Sequence, residues 1–115
     1  MKKYKRGQIW IVNFDPSMGH EYRKVRPALI IQHERYISLG SLLTVIPISS
    51  QITKLTELDV VLERNAQNRL MKTSLLKTKQ ISSFDKRRFL KFIGTLDEQT
   101  MKTVDNNIQL FLFGR

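Results

Sequence analysis

The 115-residue chain is 41% hydrophobic and sets 20 Lys/Arg against 10 Asp/Glu, for a formal net charge of +10 and a pI of about 10.2. That length fits a single domain, 1–115, able to bury its own core, and the basic excess points to a polyanionic partner. No Cys is present, which excludes disulfides and thiolate metal centres, and the two isolated histidines, His20 and His33, are poor metal ligands.

The first predicted element is a strand at 8–14, "QIWIVNF", rich in β-branched and aromatic residues. Its apolar run is too short, and meets Asn13 and Asp15 too soon, to form a secretory leader behind the basic N-terminus. A loop follows at "DPSMG", marked by Pro16 and Gly19. Short branched runs at 27–33 and 42–49 predict buried strands. The chain is uncharged between Arg35 and Lys54, but Ser, Thr, Gln, Gly and Pro interrupt it, so no membrane span is expected. The segment 57–63, "ELDVVLE", alternates as a half-exposed strand with Leu58, Val60 and Leu62 inward and Asp59 outward. A strand at 75–81 would place Lys77 and Lys79 on one face. A helical turn is expected from Ser82 or Ser83, with Asp85 near its positive end, and a further strand at 89–96. After Asp97, a candidate N-cap, Met101, Val104, Ile108 and Phe111 or Leu112 recur at helical spacing. Short strands followed by one amphipathic helix describe a mostly β, α+β domain: a small β-barrel with helical additions.

Charge is concentrated in two blocks. Residues 1–26 hold seven Lys/Arg against Asp15 and Glu21, and residues 64–91 hold nine against Asp85. This pattern suits either a basic binding face or a solvated surface. At the head of the second strand, Arg26 is the last polar residue before Pro27, whose ring biases Arg26 toward extended backbone. Trp10, Phe14, Phe92 and Phe111 read as core, His33 as structural, and Tyr22 as the better base-stacking residue.

The order "RGQIWIVNFDPSMGHEYRKVRPALIIQ", "VIPISSQ", "KQISSFDKRR" and a terminal helix resembles the MazF/PemK family of toxin endoribonucleases over nearly the whole chain. The resemblance implies an SH3-like barrel, a homodimer, metal-independent and cofactor-free cleavage of single-stranded RNA, and a small antitoxin that blocks the site. The net charge of +10 makes an acidic antitoxin the expectation, and the composition makes the cytoplasm the expected setting. It assigns catalytic roles to Arg26, to Ser49 in place of the family's Thr, and to Glu21. It groups Gly19, His20, Lys24, Ser50, Gln51, Lys77, Lys79 and Gln80 with the substrate. Lys79 stands where many members carry an acid, so a different base preference is expected. Two alternatives fit a similar barrel: a toxin that inhibits a protein such as a DNA topoisomerase, and a non-catalytic RNA-binding module.

Overall fold

A computed structural model describes residues 3–15 and 25–115. Seven strands, β1 (Gln8–Asn13), β2 (Val25–Ile30), β3 (Leu42–Ser49), β4 (Val60–Leu62), β5 (Ser74–Leu76), β6 (Ser82–Asp85) and β7 (Phe89–Thr95), form one antiparallel sheet. Its order is β4-β5-β3-β2-β1-β7, with β6 also on β3. The sheet does not close: β4 and β7 share no ladder, so the expected barrel is an open, two-faced sheet of the same α+β class. The helix α1 (Glu34–Ile37) interrupts the β2–β3 connection, and α2 (Glu98–Phe113) ends the chain.

The alternation of side chains along β1, β2 and β3 divides the core in two. Ile9, Leu29, Ile46 and Ile48 face α2, where Val104 is fully buried and Met101 and Ile108 pack beside it. Trp10, Val12, Ala28, Ile30, Leu43 and Val45 face the other way, onto Phe89, Ile37 and Tyr4. Both faces of the central strands are covered, which is why they read as continuous apolar runs. Asp97 caps α2 as its sequence position predicts: its carboxylate accepts from the Thr100 N–H at 3.0 Å and the Thr100 hydroxyl at 2.7 Å. Those hydrogen bonds hold its pKa below the ordinary range. Gly114, in a left-handed conformation (φ 75°), stops the helix with its N–H on the Leu110 carbonyl. Within the described residues, no helix is long and apolar enough to cross a membrane.

Three predicted elements are corrected. The 75–81 strand ends at Leu76, and Thr78–Gln80 forms a 3-10 turn. Paired residue numbers add to 124 in the β3–β5 ladder (Ile48 with Leu76) and to 127 in the β3–β6 ladder (Val45 with Ser82). The three-residue slip is taken up by this turn. It falls beside Pro47, whose carbonyl accepts from the Lys77 N–H and whose missing N–H therefore leaves that side of β3 without a donor. The helical turn expected from Ser82 or Ser83 begins later. Ser82–Asp85 is strand, because the first half of β3 requires a partner, and Thr44 and Ser83 hydroxyls meet across the ladder at 2.6 Å. Asp85 then caps a 3-10 turn at Lys86–Arg88. Finally, β4 is only three residues long, and Leu58 sits in a left-handed turn (φ 69°) rather than in a strand.

The small α1 was not legible in the sequence, but His33 is structural as expected. Its Nδ1 accepts from the Arg35 N–H at 3.0 Å, capping the turn. Trp10 is core, and Phe14 stacks on Phe84 at 4.8 Å. Phe92 and Phe111, expected in the core, remain 43% and 40% exposed.

Candidate active site

The backbone around Pro27 explains how a cleft opens beside Arg26. The carbonyl of Ile30 accepts from the Gly7 N–H on the β1 side, while the Ile31 N–H donates to Thr44 on the β3 side. Alternation therefore aims the nitrogen of residue 27 at β3, and Pro27 has no hydrogen to offer there. The β2–β3 ladder stops at Ala28 opposite Pro47. Continuing that register by two residues sets Arg26 opposite Ser49, now without a ladder between them. Arg26 is held from the other side, against Val12 of β1.

The gap is a cleft of about 390 Å³ lined by Arg26, Pro27, Ser49, Ser50 and Gln51, floored by Ile11, Ile48 and Ile93, and completed by Arg69, Leu70, Met71, Lys72 and Ser74. Arg26, Arg69 and Lys72 supply three cations, and no Asp or Glu is among the described lining residues. Among the described residues the ion pairs are Arg6–Asp105, Lys77–Asp59 and Arg87–Asp85, none of which uses a cleft cation. Ser49 Oγ accepts from the Gln51 N–H at 3.1 Å, the local turn its position at a strand end permits. No described residue accepts its hydroxyl proton, which leaves that donor available to a ligand oxygen. A guanidinium and a hydroxyl donor, neither with a side-chain partner among the described residues, can together bind a tetrahedral oxyanion.

Of the residues assigned from the sequence, Arg26, Ser49, Ser50 and Gln51 thus share one cleft. Gly19, His20, Glu21 and Lys24, with Tyr22, lie outside the described residues. The paired exposed face expected of Lys77 and Lys79 does not form, because the 3-10 turn separates their directions. Lys79 and Gln80 are exposed on that turn and are not among the residues lining the cleft. Lys77 turns inward: its Nζ donates to Asp59 Oδ2 at 2.6 Å and to the Lys54 carbonyl at 3.0 Å. Asp59, expected on the solvent side of a strand, has a side chain only 1% exposed. Its Oδ2 also accepts from the Thr56 N–H and hydroxyl. This contact ties the turn following Gln51 to the end of β5.

Arg69 and Lys72 were seen in the sequence only as members of a basic block. Their place in the cleft depends on Gly94 of β7. A Cβ there would lie 2.5 Å from the Gln67 carbonyl oxygen and 2.7 Å from that of Asn68. Only glycine lets the 65–69 turn approach so closely. Thr95 N–H completes the junction on Gln67 O at 3.1 Å.

Comparison with known proteins identifies the family and the fold. The family described as PemK-like, MazF-like toxin of type II toxin-antitoxin system matches residues 5–112. Endoribonuclease EndoA of Bacillus subtilis is 31% identical over 111 residues, covering 94% of this chain and 93% of that protein. Endoribonuclease MazF9 of Mycobacterium tuberculosis is 28% identical over 113 residues, covering 94% and 95%. The fold matches the crystal structure of MazE-MazF from Deinococcus radiodurans with a TM-score of 0.80 at 23% identity, covering 97% of each chain. The chain belongs to the PemK-like, MazF-like toxin family of type II toxin-antitoxin systems.

Proposed function

We propose that this chain is an endoribonuclease toxin that cuts single-stranded RNA in the Arg26–Ser49 cleft. In this reaction the 2′-hydroxyl oxygen attacks the adjacent phosphorus and its proton leaves to a base. The bond to the 5′-oxygen breaks and that oxygen takes up a proton, giving a 2′,3′-cyclic phosphate and a 5′-hydroxyl end. Arg26 contacts two phosphate oxygens through its planar fork and stabilises the charge that builds on them, from a backbone position fixed by pairing with Val12. Ser49 donates one further hydrogen bond to the phosphate. Glu21 and His20 are the local groups for the two proton transfers. The observation that carries this reading is the convergence of Arg26 and Ser49 on one cleft, in a chain whose relatives are named endoribonucleases. That naming favours catalysis over topoisomerase inhibition or passive RNA binding.

Purified protein incubated with mixed-sequence single-stranded RNA and excess EDTA should produce cyclic-phosphate and 5′-hydroxyl ends. Counterion release from several Lys/Arg–phosphate contacts should make binding weaken steeply with salt. No cutting, or cutting that appears only on adding a divalent cation, would overturn the proposal.

The proposed setting is the cytoplasm, and the proposed partners are a small acidic antitoxin and a second copy of the chain. The cleft's cations suit an acidic antitoxin segment that folds as it binds. The apolar end of α2, where Leu110, Phe111, Leu112 and Phe113 are 45%, 40%, 53% and 67% exposed, suits burial in a homodimer. Sedimentation should show a dimer at micromolar concentration, and stoichiometric antitoxin should suppress cleavage. A persistent monomer, or a bound antitoxin without effect on cutting, would remove the respective partner.

A further inference from the structure

Two described residues other than glycine adopt positive φ: Leu58 at 69° and Arg69 at 55°. In that region an L side chain crowds its own backbone, so the conformation persists only where the surroundings impose it. Around Arg69 they do. Asn68, only 3% exposed, accepts from the Asn65 N–H and the Leu70 N–H, each at 3.0 Å, and donates to the Glu63 carbonyl at 2.9 Å. Asn65 Oδ1 accepts in turn from the N–H groups of Gln67 and Asn68. Gly94 closes the turn from below, and Leu70 anchors it in the core.

A glycine would occupy position 69 without strain, yet a long cation stands there, at the cleft, with no ion-pair partner among the described residues. Leu58, the other strained residue, is not among the residues lining this cleft, and its carbonyl is engaged by Asn107. Lys72, three residues further on, also lines the cleft.

We propose that Arg69 is a substrate-binding residue whose left-handed backbone is kept at the expense of stability, in order to aim its guanidinium at an RNA phosphate next to the one Arg26 holds. Arg69 acts on substrate affinity and leaves the chemical step to Arg26. The inference rests on the reading of this cleft as the RNA site.

Two variants separate affinity from folding. Arg69→Gly removes the charge and the strain together; Arg69→Asn removes the charge but tolerates left-handed backbone. In both, KM for single-stranded RNA, and Kd for a non-cleavable 2′-O-methyl RNA of the same sequence, should rise about tenfold, as loss of one charge-assisted contact implies. kcat should stay within about twofold, and the slope of log Kd against log salt should drop by about one contact's worth, roughly 0.7 for a single strand. The melting temperature of Arg69→Gly should hold or rise by a few degrees. Unchanged KM, Kd and salt slope in both variants, while the wild type cleaves RNA, would overturn the role of Arg69 alone. A fall in the melting temperature of Arg69→Gly would show that the backbone is not strained and equally sink the proposal. Absence of cleavage and RNA binding by the wild type would instead remove the reading of the cleft and this inference with it.

Discussion

Arg26→Ala should abolish RNA cleavage while leaving the fold and most of the RNA affinity in place. If Arg26 stabilises charge on the reacting phosphate, losing it costs about 3–4 kcal/mol of transition-state stabilisation, a hundredfold or more in rate. Arg26→Lys should be nearly as damaging, because an ammonium keeps the charge but loses the planar two-point contact. Ser49→Ala should cost less, since it removes a single neutral donor, and Ser49→Thr should be tolerated because it keeps the hydroxyl. Single-turnover cleavage rates alongside thermal melts check this, as Arg26 lies on a core strand paired with Val12. Wild-type rates in Arg26→Lys would make the fork irrelevant, and wild-type rates in Arg26→Ala as well would move the reaction centre elsewhere.

The second large effect is expected at Lys77, through stability. Its side chain is 12% exposed and that of Asp59 1%, so the pair is largely out of water. Asp59 Oδ1 is buried with no hydrogen-bond partner, which leaves the carboxylate dependent on what reaches Oδ2. Lys77→Met keeps the aliphatic stem and removes the ammonium. It strands a buried negative charge, and breaking such a pair typically costs about 3–5 kcal/mol. That is a large fraction of the roughly 5–15 kcal/mol that holds a domain together. Replacing both partners by apolar residues, Asp59→Leu with Lys77→Met, should recover most of the loss.

The pH dependence of the two proteins should have opposite signs. In the wild type, burial pushes the Asp59 pKa up, but hydrogen bonds from Lys77 and Thr56 outweigh it and the net direction is below the ordinary 3.8. A lowered folded-state value means the contribution is complete above that ordinary value and is lost as pH falls through the folded one. In Lys77→Met burial prevails, the Asp59 pKa rises, and the variant should gain stability relative to wild type as pH is lowered from 7 toward 4. Melting curves at pH 7, 5 and 4 read this directly. A variant that melts within a degree or two of wild type at every pH would show that the pair carries no stability. Lys77 also holds the Lys54 carbonyl, so the variant should loosen the turn beyond Gln51 and slow cleavage even where it stays folded.

By itself the sequence determined the parts of this protein that local chemistry dictates. The strands near 8–14, 27–33, 42–49 and 89–96 announce themselves by branched, apolar runs long enough to span a core. The helix announces itself by Asp97 and the spacing of Met101, Val104 and Ile108. The motif running to Arg26–Pro27 carried the family, but that the missing N–H of Pro27 falls on the β3 side and ends that ladder was decided by how β2 pairs. Only the tertiary structure decided which neighbour each strand takes. Alternation along 75–81 is the same whether the segment follows one ladder or changes ladders, and the three-residue slip between β5 and β6 became visible only with β3 between them. That slip turned Lys77 from an exposed cation into a buried partner of Asp59. Arg69 and Lys72 reached the cleft through a contact between Gly94 and carbonyls of residues 67 and 68, far apart in sequence. Local periodicity records which side of an element is apolar; the choice of partner and the closeness of approach are set by packing between distant segments.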